Sequence, residues 1–306
     1  MNLYILGNGF DVAHGLQTSY RNFRSYLQRK HPSLLHRMRE FYDVEISSDL
    51  WKTFEFELGK METSHIEEQF YEPNYSSDEF RDGDYDDNAI LVENEIDFIE
   101  DLKQAFSEWI SSVGGGVIIE PKLAFNFPAK FITFNYTFTL EEVYGISEDD
   151  ILHIHGSIGQ DLVFGHAVDV SNWKKLKMFG PQPDEQDEAY ESEREVDYAV
   201  ERGYDVLGFT FYRLCKKVDR NLAKCDSFIS NLHDIRKVVV LGATLANGDD
   251  TYLRSLNNRL SLADCEWNVY YFKEEEKECL RRIVIQCGVS ADNVVMRSSD
   301  GLSGTI

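Results

Sequence analysis

Lys237–Asp250 reads KVVVLGATLANGDD, and its first half decides the fold. Val238, Val239, Val240 and Leu241 run without polar alternation until Gly242 stops them. A strand apolar on both faces is covered on both, as happens to the central strands of a parallel sheet. Moving outward, the pattern predicts a helix from about Asp250, a strand over Trp267–Phe272, a helix from about Glu274 and a last strand near Val294. Strand alternating with helix in this way predicts an α/β fold with a doubly wound, mostly parallel sheet.

Toward the N-terminus, Asn2–Leu6 is a second short apolar run, closed by Gly7, Asn8 and Gly9, with helical spacing from about Ser19. Tyr20, Phe23 and Leu27 share one helical face, as do Leu50, Phe54 and Leu58, and Ile96, Ile99, Leu102 and Phe106. These define a helical insertion at about 19–113, broken once by the acidic stretch Ser76–Asn88 and ended at Gly114–Gly116. Asp82, Asp84, Asp86 and Glu93 fall on calcium-loop positions 1, 3, 5 and 12, yet Asp87 stands where that loop needs glycine, so a solvated loop is the better reading. Lys130–Asn135 predicts a strand and Thr137–Tyr144 the helix after it; Ile151–His155 and Leu162–Phe164 read as two more strands. A second helical insertion, at about 171–232, carries the acidic stretch Asp184–Glu201. Together these describe a single α/β nucleotide-binding domain over residues 1–306 with two insertions.

The formal charge of −23 disfavours a grip on nucleic acid or anionic lipid, because phosphate neutralisation needs clustered Lys and Arg. No direct nucleic-acid or membrane partner is expected. Apolar runs fall short of the roughly 20 residues of a membrane helix, and MNLYILGNGFD lacks the pattern of a leader, so a cytoplasmic location is expected. Cys215, Cys225, Cys265, Cys279 and Cys287 form no CxxC pair, which suits reduced, apolar fillers.

Four segments end strands: GNGFDVAHG (7–15), FITFNYTFTLEEVYG (131–145), LHIHGSI (152–158) with FGH (164–166), and VVVLGATLANGDD (238–250). In open α/β sheets ligands bind beyond the carboxyl ends of strands, so all four are candidates for one crevice. Gly7 and Gly9 suit close approach to a pyrophosphate or simply a tight turn. Asp11 reads either as an acceptor for a ribose hydroxyl or as a helix cap, with His14 beside it. Asn135 suits a ribose hydroxyl or a water, or caps the following helix. His153 and His155 share a face if the strand is regular, with His166 arriving nearby; a metal site and a core histidine both compete for His153. His155, at the strand end before Gly156, is the better acid–base candidate. Glu55 pairs with a neighbouring cation in the plainest reading.

The ordered set GNGFDVAHGLQTSYRNF, WKTFEFEL around Trp51 and Glu55, FNYTFTLE, HIHGSI with FGH, and VVVLGATL with a later Asp resembles the AbiH family of phage abortive-infection proteins, over Leu3 to about Leu256. More distantly it resembles sirtuin-like NAD-binding domains. That resemblance implies a phosphate turn at Gly7, Asn8 and Gly9, a catalytic Asn135 and His155, and an adenosine-side loop at Gly242 and Thr244. It further implies NAD as substrate or ligand, with no metal. Thr137 departs from the Asp that reads nicotinamide in those enzymes, and the CxxC pairs of the deacylases are missing. The implied activity is hydrolysis of the N-glycosidic bond of NAD+ or a related nucleotide in bacterial anti-phage defence. The alternative is a non-catalytic ADP-ribose-binding sensor or toxin acting through a protein partner. A homo-oligomer or a phage-derived trigger completes the expected partners. A metal-dependent phosphoesterase is disfavoured because the acid and histidine sequence that a two-metal site needs before the first turn is lacking.

Overall fold

Most of the strands predicted from apolar runs form at the places where those runs lie. In the computed structural model, which describes residues 1–113, 120, 122–179, 197–246, 248–300, 302 and 304–306, the main sheet is built from β1 (Asn2–Leu6), β3 (Ala129–Thr133), β4 (Ile151–His153), β5 (Lys237–Leu241), β6 (Glu266–Tyr271) and β7 (Val294–Ser298). β2 (Leu123–Ala124) and β8 (Gly304–Thr305) pair separately. The order across the main sheet is β4-β3-β1-β5-β6-β7, and every pairing is parallel. Counting only these strands, the order is 3-2-1-4-5-6, reversing between β1 and β5. Such a reversal leaves a crevice above the strand ends, because the connections on either side depart in opposite directions.

Each face of the sheet has its own core. Leu3, Ile5, Val238, Val240, Trp267 and Val269 pack with Tyr252, Leu253, Leu256, Leu280 and Val284 from the helices Asp249–Leu260 and Glu274–Gln286. The alternate residues Tyr4, Leu6, Phe131, Val239 and Leu241 pack with Phe10, Phe125, Leu140 and Ile306. The period of two sends successive valines of KVVVL to opposite faces, which explains why that strand has no polar position. Burial of each such side chain contributes about 1.5–3 kcal/mol.

By contact the chain divides into two compact units. The first comprises Met1–Tyr26, Phe106–Phe164 and Lys216–Ile306 and holds the sheet. The second comprises Leu27–Ala105 and Gly165–Cys215. It contains the helices Pro32–Arg37, Phe54–Glu57, Ser64–Glu67, Asp87–Glu95, Val170–Phe179 and Tyr198–Arg213.

Several boundaries differ from the expectation. A helix starts at once after the first turn, at Asn8–Ala13, ahead of the expected one, which runs over Tyr20–Lys30. Leu50, Phe54 and Leu58 are buried as their spacing implies, but on three short turns, Asp49–Trp51, Phe54–Glu57 and Leu58–Lys60. Thr53 sits at the junction of the first two turns and Gly59 inside the third, and both are poor helix formers. The insertion is therefore broken several times, where one break was expected. The helix after β3 begins at Thr139, later than Thr137, since Thr137 is occupied with a side-chain bond described below. No strand forms at Leu162–Phe164. Gly114–Gly116 and most of Asp184–Glu201 lie outside the described residues. In the acidic stretch Asp82–Asp86 is a 3-10 turn whose Asp84 accepts from the Arg81 backbone and whose Asp86 holds Arg202. No disulfide joins any of the five cysteines. Among the described residues no helix is long and apolar enough to cross a membrane.

Candidate functional site

Register brings the four candidate segments to one level. Leu6 lies opposite Thr133 and Leu241, and Thr133 lies opposite His153, so β1, β3, β4 and β5 release their loops side by side. The ladder continues past the strands: Phe134 N–H donates to Leu6, Ile154 N–H to Thr133 and Gly7 N–H to Leu241.

Between β1 and β5 the loops meet backbone to backbone. Gly9 N–H donates to Gly242 O at 2.8 Å. A Cβ on Gly7 would stand 2.5 Å from Ala243 Cα, and one on Gly242, whose φ is +67°, would stand 2.4 Å from Phe10 N. The protein's own neighbouring loop therefore accounts for these glycines. Asn8 and Gly9 remain exposed, as does Thr244, while Leu245 beside it is buried with a left-handed φ of 54°. A bulky residue held there stores strain, which clusters at functional loops.

Above β1, β3 and β4 lies a buried polar network. Asp11 falls inside the first helix; its carboxylate accepts from Thr137 Oγ1 at 2.5 Å and Thr139 Oγ1 at 2.8 Å, with a further bond from the Asn135 side chain. Asp11 thus neither caps the helix nor faces outward. Burial pushes its pKa up to about 6, against the pull of those three bonds and of His153. Thr137, the departure noted in the sequence, is what Asp11 requires: a second carboxylate there would face the first.

His153 Nδ1 lies 3.0 Å from the Asn135 carbonyl and Nε2 lies 2.8 Å from Glu141 Oε1. Carbonyl and carboxylate oxygens only accept, so both ring nitrogens donate and the ring is an imidazolium. Burial opposes that charge, but Glu141, the Asn135 carbonyl and Asp11 outweigh it and the pKa is raised. His14 is the reverse: Nδ1 donates to Phe10 O and Nε2 accepts from Tyr144 Oη, so burial leaves it neutral with its pKa lowered. Both nitrogens of His14 are thereby used in joining the first helix to Tyr144.

His155 has different surroundings, because β4 ends at His153 and the regular alternation ends with it. Phe134, Tyr136 and Tyr252 stand around its ring at centroid distances of 5.1, 6.2 and 5.4 Å. Nε2 is 3.5 Å from Asp249 Oδ1, which is paired at 3.0 Å with the buried Lys216. Burial, and then the Lys216 charge, hold the His155 pKa well below the usual range, so the ring is neutral. Asn135, flanked in the chain by Phe134 and Tyr136, is 5% exposed and His155 is 3% exposed. Asn135 Oδ1 and His155 Nε2 are both buried without a hydrogen-bond partner. Orphaned buried polar atoms are rare and costly, and these two lie at the carboxyl end of the sheet. Asn135 does not cap the helix at Thr139, which has no side-chain cap.

Lys216, Asp249 and Tyr252 were not among the residues read from sequence; the pair of acids in NGDD was the only signal. His166 belongs to the second unit, where it stacks on Phe211, donates to the Phe211 carbonyl and accepts from Val168 N–H. Burial lowers its pKa to about 4. Its nitrogens are engaged there, which removes it from the first unit's histidine pair.

No curated protein and no solved structure matches the chain. One family model does match, over residues 3–271, spanning β1 to the end of β6 and every candidate residue named above. The chain belongs to the bacteriophage abortive infection AbiH family, and membership implies a role in defence against phage by abortive infection.

Proposed function

We propose that the first unit carries out this defence role as a nucleotide glycohydrolase, cleaving the N-glycosidic bond of NAD+ or a related nucleotide in a Rossmann-like, sirtuin-like crevice. The observation that carries the reading is the orphaned pair, Asn135 Oδ1 and His155 Nε2. An amide oxygen accepts and a neutral imidazole offers one donor and one acceptor nitrogen, which suits the hydroxyls of a ribose or a water. The strand order and the aligned loop ends support the same reading.

In the proposed step the bond between ribose C1′ and nicotinamide nitrogen breaks, a water oxygen bonds to C1′, and the water's proton leaves. Nicotinamide, ADP-ribose and a proton are the products. Asn135 would orient the ribose and the water. His155 would receive the proton, and a bound diphosphate would raise its low pKa toward the working range by supplying negative charge. Gly7, Asn8, Gly9, Gly242 and Thr244 would border the phosphates and adenosine, while Asp11 and His14 would hold the first helix in place from behind. No metal is assigned to this step.

The test is release of nicotinamide from NAD+ by the purified protein, with Asn135→Ala and His155→Ala each expected to lower it by roughly 100- to 10,000-fold. Equal turnover in all three proteins would remove both residues from the reaction. A second reading, a non-catalytic ADP-ribose sensor acting through a protein partner, draws on Thr137 and the depressed His155. Calorimetric binding of ADP-ribose with no nicotinamide release would favour it.

A further inference from the structure

Outside this site, the second unit brings together one histidine and two acids from three elements. Glu40 ends the turn Met38–Glu40, His65 lies on the helix Ser64–Glu67, and Glu95 ends the helix Asp87–Glu95. Their ligand atoms all lie within 4.8 Å of one another. His65 Nε2 is buried and has no hydrogen-bond partner. The ring itself is held in place, with Phe41 edge-on at 5.0 Å. Two carboxylates in one place repel, and Glu95 adds its charge at a helix C-terminus, where the helix dipole already favours a cation.

We propose that Glu40, His65 and Glu95 form a site for a divalent transition-metal ion of the zinc type. One imidazole nitrogen and two carboxylate oxygens are a donor set such ions accept, leaving a further position for water. Tetrahedral zinc holds donors at about 2.0–2.2 Å, which sets neighbouring donors roughly 3.4 Å apart. From separations of at most 4.8 Å the three groups need to draw in by no more than about 1.4 Å, and the exposed Glu40 side chain can rotate in solvent to do so. The ion would tie three separate elements of the second unit together.

The test is calorimetric titration of the full chain with zinc chloride after removal of metals by EDTA and dialysis. One zinc per chain is expected, with binding weakened at least ~100-fold in His65→Ala, beyond the loss seen for outer-sphere partners. Glu40→Gln is expected to weaken it at least ~10-fold and, being at an exposed position, to leave the circular dichroism spectrum unchanged. No saturable zinc site in the unaltered protein overturns the proposal. Zinc binding in Glu40→Gln equal to that of the unaltered protein overturns it as well, whatever the folding of His65→Ala.

Discussion

His153 and His155 stand two residues apart and have opposite electrostatic fates. His153 has an acceptor on each nitrogen and two acids near it, so it is charged and its pKa is raised. His155 has aromatic rings around it, a lysine beyond and an unpartnered Nε2, so it is neutral and its pKa is depressed. The difference teaches that two histidines of one short segment can be held by different forces: His153 by an acceptor on each nitrogen, His155 by aromatic packing with Asp249 only at 3.5 Å. Hydrogen bonds on both sides of a buried ring rigidify it, which packing alone does less directionally.

The largest expected effect breaks the comparison on activity. Under the proposed reaction His155→Ala removes nearly all nicotinamide release, as above, and by emptying the space its ring fills among Phe134, Tyr136 and Tyr252 costs about 2–4 kcal/mol in urea unfolding. His155→Gln, which refills most of that space, is expected to lose the same activity at a smaller cost in stability, and full activity in that folded variant would sink the contrast.

Next comes the scaffold side. Asp11→Ala leaves two threonine hydroxyls and the Asn135 amide short of an acceptor in a buried place, which costs about 1–3 kcal/mol. Denaturant unfolding measures it, and a loss below about 1 kcal/mol would show that the network matters little.

Gly242→Ala is expected to destabilise by about 1–3 kcal/mol, because its Cβ would meet Phe10 N and its φ is left-handed. Gly15→Ala, with a φ of +86° but open space around it, should lose only the conformational part, about 1–2 kcal/mol. Equal losses at the two positions would mean that the contact between the β1 and β5 loops relaxes freely.

The smallest effect sharpens the comparison by pH. A raised folded pKa, as at His153, contributes stability below the unfolded value near 6.5 that is lost as pH rises through the folded one. A depressed folded pKa, as at His155, contributes above 6.5 and is lost as pH falls toward the folded value. Relative to the unaltered protein, His153→Gln should therefore be most destabilised at acidic pH. His155→Leu should compare most favourably there. Parallel pH profiles of unfolding for the two variants would refute the assigned charges.

Much of the fold was legible because period and composition carry it. Asn2–Leu6 and Lys237–Leu241 form as read, since an apolar run bounded by glycine has few alternatives to a covered strand. Less of the site was legible. His153 and His155 were expected to share a face, but alternation holds only while the strand lasts, and the last ladder pair falls at His153. Glycines read as room for a phosphate or as a tight turn lie against the backbone of the facing loop, a contact no local pattern announces. Glu40, His65 and Glu95 carry no motif spacing at all, because they meet from separate elements.

Local order along the chain determined which runs become strands, where glycines turn them and which polar residues lie at the strand ends, because these follow from neighbours a few positions away. Only the tertiary structure decided which of those polar atoms find partners. Thr137 and Thr139 reach Asp11 across more than a hundred residues, and Lys216 and Asp249 come to His155 from beyond β4 and β5. Charge and availability at a buried site depend on what surrounds each atom in space, and adjacency in sequence does not fix that.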